Sequence, residues 1–119
     1  EGEVEEAAGQ QPRVPWRVLD LGCGTGNTSL PYFVAAGRFS VVGVDLTPQM
    51  VEKAKERPFE QVVCQNIEAP MPFQEGSFDV VQMLGVAEFF TDPSTVFAEV
   101  RRLLRPGGLL LVASPSKIL

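Results

Sequence analysis

Val18-Leu19-Asp20-Leu21-Gly22-Cys23-Gly24-Thr25-Gly26 is the stretch on which the fold turns. Arg17 to Leu21 is a short apolar run that stops abruptly at Gly22, as a buried parallel strand does. The glycines at 22, 24 and 26 then permit backbone torsions closed to other residues and remove side chains that would keep a ligand off the main chain. Asn27 or Thr28 is placed to cap a following helix, which Gly37 ends, with Leu30, Phe33 and Val34 on its buried face. Pro31 is tolerable only in the first turn, so the helix must begin close to Asn27 or Thr28. In open parallel sheets ligands bind outside the carboxyl ends of strands, and N–H groups at a helix start can meet a carboxylate.

Further along the chain the same alternation repeats. Ser40 to Asp45 is a second apolar run, and Thr47-Pro48 reads as an N-cap followed by proline, opening a helix to about Arg57. Gln61 to Cys64 is a third strand. Residues 68 to 77, holding Pro70, Pro72 and Gly76, read as a loop. Phe78 to Leu84 is a fourth strand, and Asp92-Pro93 starts a helix whose Val96, Val100, Leu103 and Leu104 share one apolar face. Pro106-Gly107-Gly108 breaks the chain before Leu109 to Ala113, a buried fifth strand. Strands alternating with crossovers imply an α/β class with a parallel sheet and right-handed connections.

At 119 residues the chain allows one domain and a modest core. We expect residues 1–12, which include Glu1, Glu3, Glu5 and Glu6, to be a flexible acidic tail, and residues 13–119 to form the single domain. With 15 acidic against 10 basic residues, the chain lacks the positive field that draws in nucleic acid or anionic lipid. A small-molecule partner is the expectation. The strongest apolar run, Leu109 to Ala113, falls far short of the ~20 residues of a membrane helix, and the N-terminus does not read as a signal peptide. Two cysteines that form no CxxC pair suit reduced thiols in a cytoplasmic or other reducing compartment. The absence of histidine weakens metal and His-base mechanisms.

A dinucleotide fingerprint requires GxGxxG, and both registers fail: the third glycine falls at Asn27 in one and at Ser29 in the other. A glycine-rich turn alone is as consistent with a bare turn as with a ligand loop. Asp45 changes the balance, since it ends the second strand at roughly the 20-residue distance from which a carboxylate accepts bonds from a ribose diol.

The run from Val18 to Gly26 resembles the first motif of class I S-adenosylmethionine (SAM)-dependent methyltransferases nearly residue for residue. Val41-Val42-Gly43-Val44-Asp45, the stretch Pro72 to Val81 and the stretch Glu99 to Gly108 extend the resemblance, which comes nearest to the small-molecule group of ubiquinone and menaquinone biosynthesis. It implies a Rossmann-like open sheet with strand order 3-2-1-4-5, without the C-terminal antiparallel strand pair that such enzymes usually add. It also implies SAM as cofactor and S-adenosylhomocysteine as product. Gly22 and Gly24 would lie against the methionine portion, with Cys23 and Gly26 completing the loop. Asp20 would help hold the ammonium group, Asp45 would take the ribose hydroxyls, and Leu46 would pack on adenine. Asn66 stands where the family usually has Asp on the adenine amino group, and its amide oxygen can accept the same bond. Ile67 follows it in a loop one residue longer than usual, and Leu84 ends the fourth strand beside the methyl group.

The resemblance assigns no catalytic base. Glu88, in a Glu88-Phe89-Phe90 stretch that replaces a His-rich one, could orient an acceptor, but an exposed loop carboxylate is the simpler reading. Three classes stay open: a methyltransferase whose acceptor pocket is completed by a partner or a further segment, a noncatalytic SAM-binding or partner-binding module, and a nicotinamide-dependent oxidoreductase, which the failed GxGxxG registers oppose.

Overall fold

The computed structural model describes residues 14–35, 37–86 and 90–113. Its elements are β1 (Trp16–Leu21), a 3₁₀ turn (Asn27–Ser29) running into α1 (Leu30–Phe33), β2 (Phe39–Asp45), α2 (Pro48–Ala54), β3 (Gln61–Cys64), β4 (Phe78–Leu84), α3 (Pro93–Leu103) and β5 (Leu104–Ala113). The strands form one sheet in the order β3-β2-β1-β4-β5, all parallel. This is the expected Rossmann-like topology. Residues 1–12, expected to be an acidic tail, and Glu88 lie outside the described residues.

The strand period of two divides the core into two faces. Leu19, Leu21, Val42, Val44, Val81 and Met83 face α3, whose Val96, Val100 and Leu103 are buried against them. Val18, Val41 and Val80 face the other side, where Trp16, Tyr32, Phe33, Phe39 and Phe59 pack. No helix among the described residues is long and apolar enough to cross a membrane.

Five local expectations are corrected. The helix after the glycine loop is a single 3₁₀ turn and four α residues, and Leu30 and Val34 are exposed while Tyr32 and Phe33 pack. Neither Asn27 nor Thr28 caps it, because the Thr28 and Ser29 hydroxyls turn inward to Asp20. Helix α2 ends at Ala54, short of Arg57. Leu104 leaves α3 in an extended conformation and begins β5, and Pro106-Gly107 forms an irregularity between the Phe78 and Val80 registers instead of a break before the strand. Finally, the fifth strand is not buried: Leu109, Leu110, Leu111 and Val112 are 53%, 37%, 43% and 46% exposed.

Candidate functional site

The carboxyl ends of β1, β2 and β3 meet at the glycine loop. The N–H groups of Gly22 and Cys23 donate to the Val44 carbonyl at 2.7 and 3.0 Å, and that of Gly26 to the Cys23 carbonyl at 2.9 Å. Gly22, Gly24 and Gly26 hold φ values of 78°, 57° and 102°, which a side chain would strain. Gly24 N–H donates to Asp45 Oδ2 at 2.8 Å, and Thr47 N–H to Asp45 Oδ1 at 3.0 Å. Two backbone donors therefore aim the Asp45 carboxylate. An ionised carboxylate offers about four lone-pair sites, so roughly half remain for a diol.

Asp45 opens onto a cleft of about 260 Å³ lined by Gly22, Asp45, Leu46, Asn66, Ile67, Glu68, Val86 and Phe90. The cleft thus brings Gly22, Asp45, Leu46, Asn66 and Ile67 together. A Cβ on Gly22 would run into the Val86 side chain, so glycine is required there by contact as well as by torsion. Asn66 Oδ1 accepts the Glu68 N–H at 2.9 Å, an Asx turn that commits one of the oxygen's two lone pairs and leaves the amide free to accept one bond and donate others. Glu68 in turn accepts the N–H groups of Thr91 and Asp92 at 3.2 Å, joining the cleft wall to the start of α3. Two larger hollows, of about 530 and 450 Å³, lie along α3 and touch neither the glycine loop nor Asp45.

Asp20, Cys23, Gly24, Gly26 and Leu84 are not part of the cleft wall. Asp20 is fully buried, on the sheet face that carries α1, level with Gly43 on β2 and Gln82 on β4. Its Oδ2 accepts the hydroxyls of Thr28 at 2.7 Å and Ser29 at 2.6 Å, while Gln82 Nε2 donates to the Thr28 carbonyl and Tyr32 Oη donates to Gln82 Oε1. Among the described residues, Asp20 Oδ1 is buried without a partner. Burial pushes the Asp20 carboxyl above the usual range, against the pull of those hydroxyls. This polar layer fixes the start of the helix behind the glycine loop. Cys23 is buried, and desolvation with the nearby Asp20 and Asp45 charges pushes its thiol up to about 12. Its side chain fills the space above Gly43. Leu84 is half-buried at the end of β4.

Val86, Glu68 and the Gln82 layer escaped the sequence reading. The resemblance did single out the region of Phe90, but no periodic signal marks a residue whose role comes from an irregular loop folding back on a distant glycine.

A methyltransferase domain family model matches residues 19–112. The chain is 35% identical to demethylmenaquinone methyltransferase of Thermus thermophilus over 84% of its length and 47% of that protein's. It is 33% identical to 27-O-demethylrifamycin SV methyltransferase of Amycolatopsis mediterranei, over 95% of the chain and 46% of that protein. Among solved structures, the YcgJ protein of Bacillus subtilis superposes with a TM-score of 0.73 at 29% identity, covering 93% of this chain and 48% of that one. The chain spans less than half the length of these relatives.

Proposed function

This chain belongs to the methyltransferase domain family, and from that premise we propose that it binds SAM in the cleft beside Asp45 and takes part in methylating a small-molecule acceptor. One observation carries the reading: the Gly24 amide, in the loop after β1, and the Asp45 carboxylate, at the end of β2, are joined at 2.8 Å at the edge of a cleft with apolar walls. The residues suit the cofactor. Asp45 keeps acceptor sites for a ribose diol, Leu46, Ile67, Val86 and Phe90 offer apolar surface to a flat base, and Asn66 keeps an acceptor and two donors for an adenine edge. Leu46 is 65% exposed, so covering it with a base removes apolar surface from water.

Asp20 supports the methionine end indirectly in this reading, because its Oδ2 ties down Thr28 and Ser29 behind the loop. SAM supplies, when bound, a methyl on a sulfonium whose leaving group departs without protonation. The protein's part is then to hold donor and acceptor in line and to exclude water. A base is needed only where the acceptor must lose a proton. The two free thiols fit a reducing compartment, which we propose for the chain.

Calorimetric titration with SAM and S-adenosylhomocysteine tests the site. We expect saturable binding, weakened at least tenfold in Asp45→Ala through loss of charge-assisted bonds to the diol. Absence of binding by folded wild-type chain, or full affinity in the variant, would refute the assignment. Methyl transfer to an acceptor panel then separates an enzyme from a noncatalytic SAM-binding module.

A further inference from the structure

The connection from α2 to β3 reaches back over the outside of the glycine loop, and Arg57 is its point of contact. One edge of the guanidinium spans two acceptors: Nε donates to the Thr25 carbonyl at 3.0 Å, and Nη2 to Asn27 Oδ1 at 2.9 Å. The stem is equally engaged, for a Cβ on Gly26 would stand 2.8 Å from Arg57 Cδ and 3.0 Å from the Phe59 ring. Phe59 is itself anchored edge-on against Phe33 of α1, with ring centroids 4.9 Å apart. The peptide between Thr25 and Gly26 is therefore held at both ends, its C=O by Arg57 and its N–H by the Cys23 carbonyl at 2.9 Å. Arg57 does not line the cleft.

We propose that Arg57 is a positioning residue for cofactor binding: its guanidinium clamps Thr25 and Asn27 and so fixes the turn of the glycine loop that receives the amino-acid end of SAM. The inference rests on the cofactor site proposed above. A planar fork suits the task, because two acceptors along one edge define an orientation that a point charge cannot. The Asp45 bond to Gly24 fastens the loop on the cleft side, and Arg57 fastens it on the outer side. Loss of the outer fastening leaves the adenosine half of the site intact, since Asp45, Leu46, Asn66 and Ile67 belong to other segments.

The test compares two probes. S-adenosylhomocysteine carries the amino-acid end, and 5′-methylthioadenosine keeps the adenosine half without it. We expect Arg57→Ala to lower affinity for S-adenosylhomocysteine about tenfold, the scale of one or two charge-assisted bonds, and to change affinity for 5′-methylthioadenosine by less than about twofold. Arg57→Lys should recover part of the loss, because an ammonium can reach one acceptor but not span both. Equal loss for both probes, or no loss for either, overturns the positioning role. Should Arg57→Ala fail to fold, the same comparison in Arg57→Lys decides, with a loss confined to S-adenosylhomocysteine as the supporting result. Wild-type chain that binds neither probe removes the cofactor site and this role with it, whereas wild-type binding with unchanged variants removes this role alone.

Discussion

Cys23 follows Gly22 in the glycine loop and Cys64 pairs in register with Asp45, yet their surroundings give them opposite chemistry. Cys23 is 2% exposed, sits against Gly43 so closely that a Cβ there would be 2.8 Å from its sulfur, and has its thiol pushed up to about 12 by burial. Cys64 is exposed at the end of β3. The thiolate is the reactive form, so alkylation at neutral pH should label Cys64 within minutes and Cys23 only after denaturant is added. Mass spectrometry of the native protein should find one adduct. Rapid double labelling would mean that the glycine loop opens far more readily than its hydrogen bonds suggest. At this scale the cleft was partly legible. Glycine at 22 is demanded by its positive φ, and the carboxylate at 45 is held by two backbone donors at a strand end, and both residue types leave a mark on sequence. Arg57 left none, since an arginine just past a helix reads as solvated surface until the chain's path shows what lies beneath it.

Helix α3 shows how an element can serve a neighbour that has no regular structure. Its apolar face was predicted from spacing, and Val96, Val100 and Leu103 are buried accordingly. Arg102, by contrast, reads from spacing as a surface cation. It donates instead to the carbonyls of Phe73 and Met71 at 2.9 and 3.1 Å, and Glu99 Oε2 accepts the Met71 N–H at 2.8 Å. The Arg102–Glu99 pair, closed at 2.6 Å, thus replaces the ladder bonds that the irregular connection between β3 and β4 cannot make for itself. Periodicity locates a helix's apolar face but is silent about the loop beside its polar flank. The Arg102 bond holds the Glu99 carboxyl below its ordinary value of 4.5. A lowered carboxyl stabilises the fold fully above that ordinary value and loses its contribution as pH falls through the folded one. Glu99→Gln should therefore cost about 1 kcal/mol at pH 7, a modest figure because the guanidinium is partly solvated. Urea denaturation of both proteins from pH 7 to pH 3 should show the gap closing in the acid range. A gap unchanged at pH 3 would mean that shape, not charge, makes the contact.

Over the whole molecule, alternation and handedness imply a parallel sheet with right-handed connections, whereas the order β3-β2-β1-β4-β5 was legible only through the resemblance carried by the motifs. The environment of β5 was not. A run such as Leu109 to Val112 states that the strand is suited to cover on both faces, whereas cover is a property of what packs there. In this chain β5 pairs with β4 along one edge, and among the described residues no strand pairs with the other. Four consecutive apolar side chains are 37% to 53% exposed beside that open row of backbone donors and acceptors. Such an edge is a template for another chain, and natural sheets usually blunt it with charge, proline or a bulge. Here the irregularity at Pro106-Gly107 disturbs only the entry to the strand and leaves 109–113 in continuous register with β4. The 119-residue chain should accordingly self-associate as concentration rises, with light scattering giving a mass above 13.0 kDa. Leu109 and Leu111 point to the same face of the strand, so Leu109→Lys with Leu111→Lys places two charges on one side of the edge without touching the pairing to β4. That double variant should remain monomeric over the same range and keep whatever affinity for S-adenosylhomocysteine the unmodified chain has, because β5 contributes nothing to the cleft beside Asp45. Unmodified chain that stays monomeric at high concentration would show the exposed edge to be too short or too twisted to template a partner, while association that survives both lysines would locate the contact on another face.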